Sequence, residues 1–208
     1  MESRAELEER QHPGRLIKDV SGLILAGGES SRYGRNKALV KVNGISLIER
    51  VSLVMQSLFQ EVRLITNTPD EYTFLKLPMH EDLIKGLGPL GGLFTGLTRM
   101  SNDAGFLVAC DMPFLNRELI RYIVKMGDNS DVIVPRIAGL LEPLHALYSK
   151  RCLPVIKKLI DSHKYQIGQF FPMVLVKYVD EDIVRRFDPK LRCFDNINEP
   201  QQLREIHE

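Results

Sequence analysis

From Gly22 onward, short apolar runs alternate with stretches whose apolar residues recur every three or four positions. Residues 23–25 form the first run and end in Gly27-Gly28, the pattern of a buried strand stopped by a glycine turn. Residues 46–59 carry Leu47, Val51, Val54 and Leu58 on one side, which predicts a helix with one buried face. Residues 62–66 read as the next strand, closed by the turn residues of "NTPDE". A helical turn at 71–76 and a short strand in "LPMHED" follow.

"KGLGPLGGLFTGL" leads into a helix reaching about residue 100, and residues 105–109 form a strand ended by "CDMPFL". Asn116 is the expected N-cap of a helix bearing Leu119, Ile120, Ile123 and Val124. "DVIVPRI" and "PLHALY" read as strands, and Pro154 suits the first turn of a helix with Ile156, Leu159 and Ile160. "MVLVKYV" is a late strand, and "NINEPQQLREI" begins a last helix.

This alternation predicts an α/β protein: a mostly parallel central sheet with helices on both faces, three layers in all. No repeat or linker divides the chain, so a single domain is expected over residues 22–208, preceded by a polar extension at 1–21. In such sheets ligands bind at the carboxyl ends of the strands. Gly27-Gly28, Asn67, Asp82 and Asp111 all follow predicted strands.

Composition narrows the function classes. A net charge of +1 over 208 residues leaves no general basic field for nucleic acid. Cys110, Cys152 and Cys193 are widely spaced with no CxxC pair, which argues against a disulfide framework or a zinc site. No apolar run reaches the ~18 residues of a membrane span. The first twenty residues are too charged for a signal peptide, so a cytoplasmic protein is expected.

The stretch "LILAGGESSRYGRNKAL" combines glycines with basic residues, but it is not a Walker A loop: five residues separate Gly28 from Gly34, and Lys37 follows three positions later. A formal GxGxxG at Gly86, Gly88 and Gly91 lacks the preceding strand of a dinucleotide fingerprint. Adjacent glycines nevertheless admit an anion or a flat base close to backbone N–H groups. Arg32 can grip phosphate oxygens in fork geometry, and Lys37 supplies a point charge. Asp111 suits Mg²⁺, which takes few carboxylates and shares substrate phosphates. Asp82 could bind base or ribose, or cap the next turn. Asn196 and Asn198 could face the same crevice, although Asn198 could equally be an N-cap. His80 and His145 have no partner at ligand spacing and read as packing or hydrogen-bonding residues.

The loop, with Leu25-Ala26-Gly27-Gly28, Arg32-Tyr33-Gly34 and Lys37, resembles the signature of the nucleotidyltransferase fold, Rossmann-like in its layering. "GPLGGL", "CDMPFL" and "NINEPQQL" follow in the order found in MobA-like molybdenum cofactor guanylyltransferases, which join GMP to molybdopterin; Tyr33 stands where that family usually has methionine. The resemblance covers residues 22–206. It implies GTP binding by Leu25, Ala26, Gly27, Gly28, Lys37, Asn67 and Asp82, with Gly88, Gly91 and Gly92 leaving room for base or ribose. It further implies Mg²⁺ on Asp111, catalytic roles for Arg32, Lys37 and Asp111, and Asn196 and Asn198 on the molybdopterin side. The acceptor would be molybdopterin or Mo-molybdopterin, with cofactor-insertion proteins and apo-molybdoenzymes as recipients. Other readings are a CTP-dependent sister enzyme, a sugar-1-phosphate nucleotidylyltransferase, and a non-catalytic nucleotide carrier. AGG rather than AAG and the GPLxGL pattern favour guanine.

Overall fold

A computed structural model describes residues 15–27, 36–127 and 129–197. Along the chain, β1 (Val20–Leu25) precedes a hairpin of β2 (Lys41–Val42) and β3 (Ile45–Ser46), then α1 (Leu47–Leu58) and β4 (Val62–Ile65). β5 (Met79–His80), α2 (Gly88–Arg99), β6 (Ala104–Ala109) and α3 (Arg117–Lys125) follow. The last part holds β7 (Val132–Ile137), β8 (Leu140–Leu141), β9 (His145–Ser149), α4 (Leu153–Asp161), β10 (Val176–Asp180) and α5 (Glu181–Phe187).

The main sheet runs β10-β7-β9-β6-β1-β4-β5, with β8 paired to β7. The β10–β7, β6–β1, β1–β4 and β4–β5 pairings are parallel, while β9 is antiparallel to both β6 and β7. The expected mostly parallel, three-layer architecture is therefore what forms. Because β9 alone is reversed between β6 and β7, its beginning lies at the edge where its neighbours end.

Each strand face packs its own helices. Ile24, Phe106 and Ile133 join Ile48, Val51 and Met55 of α1 and Leu119, Ile120 and Ile123 of α3 on one face. Leu23, Leu25, Leu107 and Val134 join Leu90, Leu93 and Leu97 of α2 and Ile156 and Leu159 of α4 on the other. Alternate residues of one strand thus supply both cores, the period-two consequence of a strand covered on both faces.

Local signals agree with this packing. Ser46 and Glu49 form a capping box at the start of α1, Asn116 accepts the Leu119 N–H as N-cap of α3, and Pro154 lies in the first turn of α4. Three boundaries differ from the sequence expectation. Val20 and Ser21, assigned to the polar extension, are fully part of β1, and the Ile17 N–H and carbonyl bond to Leu58 and Gln60 beyond them. The late strand begins at Val176 rather than Met173, because residues 167–173 form a 3₁₀ segment that buries Phe170 and Phe171. The β2–β3 hairpin, turning through Asn43 and Gly44 at positive φ, was not anticipated. The expected last helix lies outside the described residues. No described helix is long and apolar enough to cross a membrane.

Candidate active site

Four strand ends meet at one edge of the sheet. The Ala26 N–H donates to the Ile65 carbonyl (2.9 Å), the Cys110 N–H to Leu25 (3.0 Å), and the Thr66 N–H to His80 (2.9 Å). These bonds extend the ladders by one residue and hold Gly27, Asn67, Glu81 and Asp111 just beyond them. Leu25 and Ala26 are buried, so only their backbone could touch a ligand, whereas a Cβ on Gly27 would meet nothing within 4 Å. Gly28, Arg32 and Asn198, expected to take part here, lie outside the described residues.

Asn67 and Asp82 are brought together as a reciprocal clamp. The Asn67 amide donates to the Asp82 carboxylate (2.7 Å), and the Asp82 N–H donates to the Asn67 side-chain oxygen (3.1 Å). The Leu83 N–H then bonds Thr95 Oγ1 on α2 (2.9 Å), tying this clamp to the helix behind it. One edge of the crevice is thus ordered without a ligand.

Lys37 opens a short 3₁₀ turn, Lys37–Leu39, capped by Asn36. The Asn36 side chain accepts from the Ala38 N–H (3.1 Å) and donates to Tyr72 Oη (2.6 Å) and Glu71 (2.7 Å). Tyr72 is itself buried, so Lys37 hangs from a fixed point rather than a loose loop. Asn36 and Tyr72 were missed by sequence reasoning; an N-cap residue before the basic position was the available signal for the first. Nothing marked Tyr72.

Asp111 is half-buried one residue past the Cys110 turn. Burial raises its carboxyl above the ordinary carboxylate value, while its own backbone N–H and the charge of Lys37 pull it down. The Lys37 charge thus reaches Asp111, a residue 74 positions later in the sequence (111 less 37). The Ile197 N–H donates to the Asp111 carbonyl (3.1 Å), which brings exposed Asn196 alongside. The Arg192 guanidinium stacks 4.8 Å from the Phe114 ring and anchors the same returning segment.

The glycines of "GLGPLGG", residues 86–92, divide into two kinds. Gly86 and Gly88 have φ of +81° and +58°, and a Cβ on either would meet open space. Gly91 and Gly92 instead face protein: a Cβ would come within 2.9 Å of Leu87 Cβ and of Leu25 Cδ2 respectively. The room expected at 91 and 92 is filled: Gly92 seats α2 on Leu25 of β1, and Gly91 admits the Leu87 side chain and the Ile84 carbonyl before the helix. Of these glycines, only Gly86 and Gly88 border open space.

His80 Nε2 lies 2.8 Å from Arg63 Nη1, and His145 is fully buried between the edges of Phe106 and Phe194. Both pack as expected. Burial pushes the Cys110 and Cys152 thiols up to about 12, so neither is a ready nucleophile.

Among the described residues no three His, Cys, Asp or Glu side chains gather as a metal site. Asp111 offers a single carboxylate, which accepts from its own backbone N–H. That donor set suits a hard cation whose remaining ligands are phosphate oxygens and water, and it does not suit a closed zinc site.

Residues 22–171 match the family model described as "MobA-like NTP transferase domain". The chain belongs to the MobA-like NTP transferase family. A protein of Pelotomaculum thermopropionicum named "Probable molybdenum cofactor guanylyltransferase" is 39% identical, covering 88% of this chain and 90% of that protein. The "Molybdenum cofactor guanylyltransferase" of Desulfosudis oleivorans is 36% identical over 88% of this chain and 92% of its own length. In structure, the molybdopterin-guanine dinucleotide biosynthesis protein A of Archaeoglobus fulgidus superposes with a TM-score of 0.78 at 26% identity, covering 91% of this chain and 96% of that one. The 2-C-methyl-D-erythritol 4-phosphate cytidylyltransferase of Thermus thermophilus shares the fold, with a TM-score of 0.66 at 18% identity over 90% of this chain and 96% of that chain.

Proposed function

We propose that the protein is a cytoplasmic Mg²⁺-dependent guanylyltransferase that moves GMP from GTP to the terminal phosphate of molybdopterin, releasing pyrophosphate. The names of its relatives support this reading, and one observation carries it: the half-buried Asp111 carboxylate, just past the end of β6, lies within the field of the Lys37 charge. That pairing suits a polyphosphate and a cation together.

The acceptor phosphate is already ionised near neutral pH, so its oxygen needs no general base to attack the α-phosphorus. A new P–O bond forms as the bond to the β-phosphate breaks, and pyrophosphate departs in line. Lys37, steadied by Asn36 and Tyr72, would offset charge on the departing group, with Arg32 expected to assist. The Asn67–Asp82 clamp and the open backbone at Gly86 and Gly88 would hold the nucleoside, and Asn196 would face the pterin side. Asp111 would hold Mg²⁺, which supplies charge neutralisation on phosphate oxygens when bound.

Pyrophosphate release with Mg²⁺ and molybdenum cofactor, measured separately for GTP, CTP, ATP and UTP, tests this. Release with GTP alone is expected. A preference for CTP would overturn the choice of base, and no release from a folded, GTP-binding protein would overturn the acceptor.

A further inference from the structure

Beyond Asp111, on the side away from β1, the reversed strand β9 changes what reaches the crevice. His145 pairs with Val108 near the end of β6, so the residues before β9 stand at the same edge as Asp111. Glu142 is among them, and its backbone is fully committed. Its N–H donates to the Pro135 carbonyl (3.0 Å), and its carbonyl accepts from the His145 N–H (3.0 Å). The Tyr148 hydroxyl donates to the Pro143 carbonyl (2.7 Å), and Leu141 and Leu144 pack into the core on either side.

The side chain contrasts with this. The Glu142 carboxylate is half-buried and has no hydrogen-bond or ion-pair partner among the described residues. Burial raises its carboxyl and nothing nearby opposes the effect. A carboxylate held on a rigid corner, partly stripped of water and facing no cation among the described residues, is prepared for donors that arrive with a ligand.

We propose that Glu142 is a specificity-determining residue for the acceptor, its carboxylate receiving the paired ring N–H and exocyclic amine of a pterin. The inference rests on the proposed function for the acceptor's identity. Guanine has the same donor edge, but sheet order separates the two sources. Asn67, Asp82, Gly86 and Gly88 belong to the β1–β4–β5 side of Asp111, whereas Glu142 belongs to the β9–β7 side. The nucleotide and the acceptor would then approach Asp111 from opposite flanks.

Glu142→Gln keeps the size and the backbone bonds but loses the charge and turns an amine toward the incoming donors. The KM for molybdopterin should rise at least about tenfold, as for loss of a charge-assisted pair, with the KM for GTP unchanged. Quenching of the fluorescence of free pterin by the protein reads the same contact without turnover and should weaken in parallel. Glu142→Asp, which retains the carboxylate, should recover part of the pterin affinity. Unchanged pterin binding in Glu142→Gln, equal loss in both variants, or a rise in the KM for GTP in place of that for the acceptor would each overturn the assignment. If the wild-type protein makes no product from GTP and molybdopterin, the functional reading fails and pterin titration alone decides Glu142; a wild type that does not bind pterin overturns it.

Discussion

The two flanks of β6 are built differently. On the β1–β4–β5 flank the side chains at the strand ends already bind one another: Asn67 with Asp82, and Asn36 with Tyr72 and Glu71. On the β9–β7 flank the main chain around Glu142 is tied down while the carboxylate itself has no partner among the described residues. The first flank arrives preorganised by mutual hydrogen bonds, which lowers the ordering cost when a nucleotide binds. The second presents a rigid backbone with one unmet charge, so its side chain gains most when a ligand supplies donors. Asp111, between them, is a half-buried carboxylate within the field of the Lys37 charge.

The largest test of this division falls on Asp111. Asp111→Ala should remove nearly all turnover while GTP binding persists, and retention of half the activity in a pyrophosphate assay would break its role. Its stability effect has the opposite sign. Burial raises the folded carboxyl above its ordinary value of 3.8, so the ionised group destabilises the free protein. That penalty is absent below the unfolded pKa and is fully developed once pH has risen through the folded value. Asp111→Asn should therefore melt higher than wild type near neutral pH in buffer without metal or nucleotide. A lower melting temperature would contradict the burial account.

A smaller effect separates ligand-facing from packing glycines on α2. Gly91→Ala would put a Cβ 2.9 Å from Leu87 Cβ and 3.2 Å from the Ile84 carbonyl. Overpacking of this kind costs about 1–3 kcal/mol, offset by up to about 1 kcal/mol of helix propensity. Urea unfolding should show a net loss of about 1–2 kcal/mol. An unchanged midpoint with a raised KM for GTP would instead return Gly91 to the ligand.

The smallest effect concerns His145, on the far side of β6 from the nucleotide. Both ring nitrogens are buried without a hydrogen-bond partner, and burial depresses its pKa to about 3 from an ordinary 6.5. A depressed folded pKa contributes stability that is complete above the unfolded value and lost as pH falls through 6.5 toward 3. His145→Leu should flatten this part of the stability–pH curve, by about 1 kcal/mol between neutral and mildly acidic pH. Parallel curves for the two proteins would show that the imidazole is not the source of the acid sensitivity.

Much of the fold was legible because its signals are local. The periodicity of α1, the Asn116 cap and Pro154 at the start of α4 act within one or two turns of chain. Asn43-Gly44 between apolar residues is an equally local hairpin signal. The start of the late strand was harder: the apolar run from Met173 reads as strand onset, yet Met173 closes a 3₁₀ segment whose Phe170 and Phe171 bury against α4's side of the core. The seven-residue α5 is too short for periodicity to mark it. Candidate site residues were readable wherever a polar group followed an apolar strand, as at Asn67, Asp82 and Asp111. Tyr72 carried no such mark, and Glu142 gained meaning only from the reversal of β9.

By itself, then, the sequence determined which segments become strands and helices, that the strands need cover on both faces, and which strand ends carry polar chemistry. Those properties depend on side-chain period, caps and turns, interactions confined to a few neighbouring residues. Only the tertiary structure decided that Lys37 acts on Asp111, that Gly91 and Gly92 are filled by Leu87 and Leu25, and that Glu142 shares an edge with Asp111. Each depends on strand order, strand direction or the depth at which a helix seats, and no local pattern along the chain encodes the distance between residues the fold brings together.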